Sequence, residues 1–175
     1  MRAATDLLSR YAECHRDERN ITSHFVGVPM IVLGLGVALG RPAFNWAGVA
    51  LSPAWVAFAG AAFWYLTRGD MTLGLAVSAW VGVLLVVAQS LAHGSTAAWL
   101  SWGAGLFCVG WLIQFLGHWY EGKKPAFLYD LSGLLVGPMF VTAEAMFVFG
   151  WKRSLMAEIQ RRAGPPVLRD LARIA

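Results

Sequence analysis

The sequence predicts an all-α, polytopic integral membrane helix bundle, and three observations support this fold class. The chain of 175 residues is 58% hydrophobic but only 14% charged, whereas ordinary soluble domains are about 25% charged. Its apolar residues form continuous runs rather than the stripe that marks one face of a soluble helix. Nine Trp and 19 Gly fit the same class, because Trp favours membrane interfaces and Gly is frequent in membrane helices.

Five apolar runs are the candidate membrane segments, and they cover residues 25–39, 44–66, 71–91, 97–116 and 131–150. A helix that spans the hydrocarbon core needs about 20 residues, a length that the second, third and fourth runs reach. The first run is shorter and carries Pro29. The fifth run carries Pro138 and also Glu144, which is the one charged residue inside any run.

Polar segments flank the runs, and we expect one membrane domain over residues 1–175. It comprises a polar N-terminal segment, 1–24, a helix bundle, 25–150, and a basic amphipathic tail, 151–175. The N-terminal segment lacks the basic-then-apolar order of a cleaved signal peptide, so we expect it in the mature protein. The tail is typical of a segment that lies on an anionic lipid bilayer. Because its basic residues flank the runs and have no fold of their own, we do not expect nucleic-acid binding.

The distribution of basic residues favours four transmembrane crossings plus a fifth hydrophobic segment, with five crossings as the alternative. If all five runs cross, the 14 Lys and Arg residues divide evenly between the two sides. If the fifth run is re-entrant or packed inside the bundle, Arg41 alone lies opposite all the others. Cytoplasmic loops collect Lys and Arg, so four crossings, with both termini on the cytoplasmic side, fit better.

Two cysteines and one histidine are expected to have no role in a functional site. Cys14 and Cys108 lie 94 residues apart and form no metal-type pair, so we expect unpaired thiols. His93 ends the third run, on the side opposite the other histidines, and we expect it at the surface.

Two polar clusters at the membrane boundary carry the functional signal, and the first holds His15 and His24. In an unbroken helix, nine residues correspond to about 900°, so these two rings would face opposite ways. They converge only if the chain breaks between them. Asn20 is a good N-cap, and we predict that it caps a helix that begins at Ile21.

The second cluster holds His118 and Glu121, which are three residues apart and hence on one helix face. Three imidazoles and a carboxylate suit a mononuclear iron or zinc site with open positions. The spacing equally fits interfacial histidines that only form hydrogen bonds, and it leaves this choice open. A carboxylate inside the membrane needs a partner or a wet cavity, so Glu144 either supports a metal ligand or packs in its protonated form.

The two clusters resemble the signature blocks of the 2-hydroxy fatty acid dioxygenases, which act in the metabolism of phytosphingosine to odd-numbered fatty acids. The matching residues are His15-x-x-x-x-Asn20-x-x-x-His24 with Gly27-Val-Pro29, and Gln114-x-x-Gly117-His118-x-x-Glu121-Gly-x-x-Pro125-Ala126. Asp130, Gly137-Pro138 and Glu144 extend the resemblance to roughly residues 11–150. After Asp130 the chain reads Leu-Ser-Gly, where eukaryotic members carry an amide-containing stretch, and this departure bears on the substrate.

The resemblance implies an Fe(II)-dependent dioxygenase that oxidises a 2-hydroxy fatty acid with O2 and releases an acid shorter by one carbon. The iron ligands would be His15, His24 and His118. Glu121 would act in catalysis, as a fourth ligand or as a partner that orients a ring. Residues implied in binding the fatty-acid headgroup are Arg19, Asn20, Lys123 and Lys124, with Arg16 as a further cation.

Two other classes remain open at this stage. One is a non-catalytic membrane scaffold or carrier, which metal content would distinguish. The other is a zinc-dependent lipid hydrolase, which oxygen consumption would distinguish. The Ala/Gly/Arg/Trp-rich composition favours a bacterial cytoplasmic membrane, and a eukaryotic chain would be expected in the endoplasmic reticulum.

Overall fold

The computed structural model describes residues 3–41, 44–46, 49–128, 130 and 132–171. Arg173 of the predicted tail and Leu131 at the start of the fifth run lie outside them. The described chain is helical apart from one two-stranded hairpin, which confirms the predicted fold class. Its elements are α1 (Ala4–Ala12), α2 (Glu18–Ala38), β1 (Phe44–Trp46), β2 (Val49–Leu51), α3 (Pro53–Leu66), α4 (Met71–Ala92), α5 (Thr96–Glu121), α6 (Gly133–Val148) and α7 (Arg153–Ala163).

Three of the described helices, α2, α4 and α5, are long and apolar enough to cross a membrane, with 21, 22 and 26 residues. The first run was predicted to be short, but α2 reaches full length because it begins at Glu18, inside the polar segment. The second run does not form one long helix. Its first part is the β1–β2 hairpin, and α3 begins only at Pro53 and has 14 residues.

The ends of α2 to α5 define two opposite ends of the bundle. At the first, called the far end, Trp99 at the start of α5 donates a 2.7 Å hydrogen bond to the carbonyl of Val37, near the end of α2. At the other, called the polar end, the Ala4 backbone N–H donates to the Arg68 carbonyl after α3 (2.9 Å), and Lys152 pairs with Asp70 before α4 (2.6 Å).

The first and last described helices, α1 and α7, lie together at the polar end, as the basic-residue distribution predicted for the two ends of the chain. There α7 packs against α1, and Arg162 of α7 pairs with Asp6 of α1 (2.7 Å). Arg41 lies at the far end, where it donates to the Gly94 carbonyl and stacks over Trp99. The chain therefore passes between the two ends four times, through α2, α3, α4 and α5.

The fifth run begins and ends without a further passage between the two ends of the bundle, as the sequence predicted. After α5 the chain turns back down the bundle, so that the ring of Phe127 packs 4.8 Å from that of Trp111, ten residues before the end of α5. Helix α6 then returns to the polar end, where Lys152, which follows it, pairs with Asp70. A bend of 117° separates α6 from α7.

Glycines let α2 and α5 approach closely along their length. A Cβ atom at Gly34 would lie 2.6 Å from the backbone nitrogen of Phe107, and one at Gly27 would lie 2.9 Å from the carbonyl oxygen of Gly110. Such distances admit no side chain, so both positions require glycine. The close approach holds the polar ends of α2 and α5 side by side, and these ends carry His24 and His118.

The predicted chain break between His15 and His24 is present, but the predicted cap is wrong. Helix α2 begins at Glu18, and its N-cap is Asp17, whose carboxylate accepts a hydrogen bond from the Arg19 backbone N–H (2.9 Å). Asn20 lies inside the first turn and is fully buried. Both Asp and Asn are good caps, and contacts with α5 place the turn at Asp17.

Candidate metal centre

Three buried histidines from three separate segments meet at the polar end. His15 follows α1, His24 lies in the second turn of α2, and His118 lies in the last turn of α5. The centroid of the His15 ring is 4.4 Å from that of His24 and 4.7 Å from that of His118. One potential ligand atom from each ring lies within 4.8 Å of the others, so the three residues could hold a metal ion.

Hydrogen bonds to backbone carbonyls orient two of the rings. The Nδ1 atom of His15 lies 2.6 Å from the carbonyl oxygen of Tyr11, and that of His24 lies 2.8 Å from the carbonyl oxygen of Asn20. In a neutral ring, a proton on Nδ1 leaves the Nε2 lone pair free to bind a metal. A backbone carbonyl that fixes the tautomer in this way is a common partner of metal-binding histidines.

The free Nε2 atoms of His15 and His24 lie 3.0 Å apart. Two bare lone pairs repel at this distance, so the arrangement needs a shared proton or a shared cation. Imidazole nitrogens that bind one metal at about 2.0–2.1 Å lie roughly 3.0–3.4 Å apart. The geometry therefore fits a shared metal ion.

The surroundings of His15 favour its neutral, metal-binding form. Burial, together with the neighbouring rings of His24 and His118, holds the pKa of His15 well below its usual value. The ring of Tyr11 stacks on the His15 ring, with 3.9 Å between centroids and 4° between planes. The ring of Phe140 in α6 packs against both of these rings. The ring is thereby fixed in position as well as neutral.

Glu121 faces the backbone that follows His15. Its carboxylate accepts hydrogen bonds from the backbone N–H of Arg16 (2.9 Å) and of Asp17 (2.7 Å), and from the side chain of Asn20 (3.2 Å). These contacts tie the end of α5, which carries His118, to the break that separates His15 from His24. They are the contacts of a group that orients the ligand-bearing segments.

Arg19 and Asn20, which were predicted to bind substrate, make contacts within the protein. The guanidinium of Arg19 pairs with Asp17 at 2.7 Å and stacks over Tyr120, and it lowers the pKa of the Asp17 carboxyl to about 2. The amide of Asn20 donates to the carbonyl of Cys14 (3.0 Å) as well as to Glu121. Both residues thus support the loop that carries His15.

Glu144 pairs with Arg16 across the bundle, at 3.2 Å, and the two side chains are only 13% and 9% exposed. The same guanidinium donates to the carbonyls of Ala12 and His15, at 3.0 and 2.8 Å. The carboxylate inside the fifth run therefore has the partner that it needs, and the pair braces the backbone of His15.

A strap of C-terminal residues, 164–171, closes over the same loop. Val167 pairs with the chain at Asp17 in a parallel bridge, donating to the Arg16 carbonyl at 2.8 Å. Arg169 donates its backbone N–H to the Asp17 carboxylate (3.0 Å) and its guanidinium to the Glu121 carbonyl (2.7 Å). Residues of the predicted membrane-surface tail thus contact two of the segments beside the histidines, namely the loop that follows His15 and the end of α5 that carries His118.

Two cavities lie beside this site, and they share Tyr11, Ala126 and Gly133 in their walls. The first, the apolar cavity, has a volume of about 310 Å³ and is bordered by His24 and His118. The second, the polar cavity, has a volume of about 840 Å³ and is bordered by Arg10, Lys123 and Lys124. The apolar cavity falls at the small end of the ~300–1,000 Å³ range of ligand sites.

The other histidine, the two cysteines and the two lysines singled out in the sequence also have defined positions in the structure. His93 is exposed after α4, and its Nδ1 donates a hydrogen bond to the carbonyl of Gln89 near the far end. Cys14 and Cys108 are both free thiols. Lys123 reaches the carbonyl of Glu13 at 2.6 Å, and Lys124 is exposed.

Sequence reasoning assigned no role to Tyr11, Gln114 or Arg169. Tyr11 precedes His15 by four residues and Gln114 precedes His118 by four, so their spacing was an available signal. Arg169 offers no such signal, because its contact with Glu121 joins residues 48 apart in the sequence.

Comparison with known proteins identifies a family that matches most of the chain. A family model described as 2-hydroxy-palmitic acid dioxygenase Mpo1-like matches residues 1–68 and 71–149. The chain belongs to the Mpo1-like family. It is also similar to the 2-hydroxy-palmitic acid dioxygenase MPO1 of Saccharomyces cerevisiae, with 36% identity over 58 residues, which cover 32% of this chain and 33% of the yeast protein.

No solved structure matches the chain. The region matched by the Mpo1-like model contains all three histidines and Glu121, whereas α7 and the strap lie beyond it. The candidate metal centre therefore lies within the part of the chain that the family model matches, and the strap lies outside that part.

Proposed function

We propose that the protein is a membrane dioxygenase that binds Fe²⁺ and oxidises a 2-hydroxy fatty acid with O2, releasing an acid shorter by one carbon. The observation that carries this proposal is the convergence of His15, His24 and His118, two of which, His24 and His118, line an apolar cavity. The family match, together with the name of the yeast relative, supports the reaction class. Three ligands that leave open positions are typical of non-haem Fe²⁺ oxygenases.

In the overall reaction, the carboxyl carbon of the substrate leaves as CO2 and the former C2 becomes the new carboxyl carbon. The remaining oxygen and hydrogen atoms leave as one molecule of water, so O2 is the only oxidant required. Bound Fe²⁺ would supply the one-electron chemistry that reaction with O2 needs.

The chain's own residues would hold the metal and position the acid. Neutral imidazoles of His15, His24 and His118 present lone pairs to the metal, and Tyr11 and Glu121 fix the segment that carries His15. The apolar cavity receives the acyl chain next to the rings and excludes water from it.

The polar cavity would attract the carboxylate of the substrate through Lys123 and Lys124 on its rim. We assign Arg19 and Asn20 to support of the His15 loop, since both are engaged there. Because the basic residues collect at the polar end, we place that end in the cytoplasm. The composition favours the cytoplasmic membrane of a bacterium.

The proposal is tested by O2 uptake of the purified protein, loaded with Fe²⁺ under anaerobic conditions and then given 2-hydroxy palmitate. We expect O2 consumption, CO2 release and pentadecanoic acid as the product. Protein loaded with Zn²⁺ is the control and should consume no O2. Iron-loaded protein that leaves 2-hydroxy acids intact, or zinc-loaded protein that hydrolyses a lipid, would contradict the proposal.

A further inference from the structure

A buried glutamine borders the apolar cavity one helical turn below the metal centre. Gln114 of α5 is 5% exposed, and its Oε1 atom makes no hydrogen bond with any residue that the structure describes. It precedes His118 by four residues, so it lies on the same helix face and about 6 Å deeper in the bundle. Its amide therefore lies between the histidines and the apolar interior.

The close approach of α2 confines this side chain. A Cβ atom at Gly27 would lie 3.0 Å from the Cγ of Gln114, so the glutamine packs directly on the α2 backbone. Around it the cavity wall is formed mostly by apolar residues, and the other residues with polar side-chain atoms are Trp111 and, at the metal centre, Tyr11, His24 and His118. A few placed polar groups in an apolar wall are what gives a ligand site its specificity.

The chemistry of the amide oxygen narrows what it can recognise. A buried acceptor without a donor is unfavourable, so a ligand that brings a hydrogen-bond donor to this position gains affinity. An ionised 2-hydroxy acid has acceptors at its carboxylate and a single donor, the 2-hydroxyl group. An unsubstituted fatty acid in the same ionised form has no donor at all.

We propose that Gln114 binds the 2-hydroxyl group of the substrate, with Oε1 accepting its hydrogen bond, and so selects 2-hydroxy acids over unsubstituted fatty acids. This inference rests on the function proposed above, because it places the head of the acid at the three histidines. Gln114 is then a substrate-binding residue, and its role concerns specificity rather than retention of the metal.

The test compares the binding of 2-hydroxy palmitate and palmitate to iron-loaded protein without O2. The wild-type protein should prefer the 2-hydroxy acid. Gln114→Leu, which keeps a similar volume but removes the amide, should lower this preference roughly 3- to 10-fold, with palmitate affinity and iron content unchanged. Gln114→Met gives the same comparison should the leucine variant fail to fold.

Gln89→Leu is the matched control, because Gln89 is also a helical glutamine but bonds Ser52 towards the far end (3.2 Å). Its preference should equal that of the wild type. A folded Gln114 variant that keeps iron and the full preference would overturn the inference while leaving the proposed function standing. Iron-loaded wild-type protein that neither prefers nor oxidises the 2-hydroxy acid would overturn both.

Discussion

The carboxylate of Glu121 lies 2.7 Å from the backbone nitrogen of Asp17, and this hydrogen bond joins the end of α5 to the start of α2. The bond thereby ties the helix that carries His118 to the segment between His15 and His24. The carboxylate is buried and accepts from three N–H donors, so its charge and its two acceptor oxygens both matter.

Glu121→Gln should weaken metal binding without abolishing it. The amide keeps the shape but presents its own N–H2 to backbone donors, which disturbs the orientation of His15. Loss of a partner that orients a ligand typically costs about 10–100-fold in metal affinity or activity. Iron titration of the variant checks this, with Glu158→Gln on exposed α7 as the control. Complete loss of iron would show instead that Glu121 is itself a ligand.

Arg169→Ala should weaken iron binding, although Arg169 lies outside the region that the family model matches. The substitution removes the hydrogen bond from the guanidinium to the Glu121 carbonyl, so iron affinity should fall by roughly 3- to 10-fold, the worth of one hydrogen bond. Arg161→Ala is the matched control, because that guanidinium pairs within α7. Equal iron affinities for both variants would mean that the strap only covers the surface.

Breaking the Arg16–Glu144 pair on one side should destabilise the protein more than replacing both partners. Arg16→Met leaves the Glu144 carboxylate without its buried partner, which costs about 3–5 kcal/mol in comparable pairs. The double variant Arg16→Met/Glu144→Gln removes that unpaired charge and should recover part of the loss. Thermal unfolding in detergent measures both variants, and additive losses would show that the two groups are not coupled.

Leu35 should influence the length of acyl chain that the protein accepts. It borders the apolar cavity and two further apolar pockets, of about 400 and 230 Å³, so it stands where these spaces meet. Leu35→Trp should shift activity towards shorter 2-hydroxy acids. Leu112→Trp, at a 67% exposed position of α5, is the control. A chain-length profile unchanged in Leu35→Trp would place the acyl chain elsewhere.

Much of this organisation was predictable, because hydrophobicity and charge act over whole segments. The runs located α4 and α5 to within a few residues, and the isolation of Arg41 indicated four passages with a fifth run that is re-entrant or packed inside the bundle. The half-turn difference between His15 and His24 required a chain break, which is present between α1 and α2. These inferences depend on periodicity and counting, which a single sequence supplies.

The errors arose where tertiary contacts decide between similar local signals. Asp17 and Asn20 are both capping residues, and the hydrogen bonds that the backbone N–H groups of residues 16 and 17 donate to Glu121 fix the helix start at Glu18. The apolar run 44–66 carries no alternation that separates a hairpin from a helix, although Pro53 at the first position of α3 was an available signal. The strap contacts join distant segments and leave no local pattern.

The iron content of anaerobically purified His118→Ala, compared with wild-type protein, tests the central claim most directly. If His15, His24 and His118 hold one ion, the wild-type protein should contain equimolar iron and the variant almost none. A double variant with His24→Ala should then be little worse, since residues of one site do not lose function additively. His93→Ala, a histidine towards the far end, should keep its iron. A folded His118→Ala protein with a full complement of iron would contradict the account and move the metal away from these three residues.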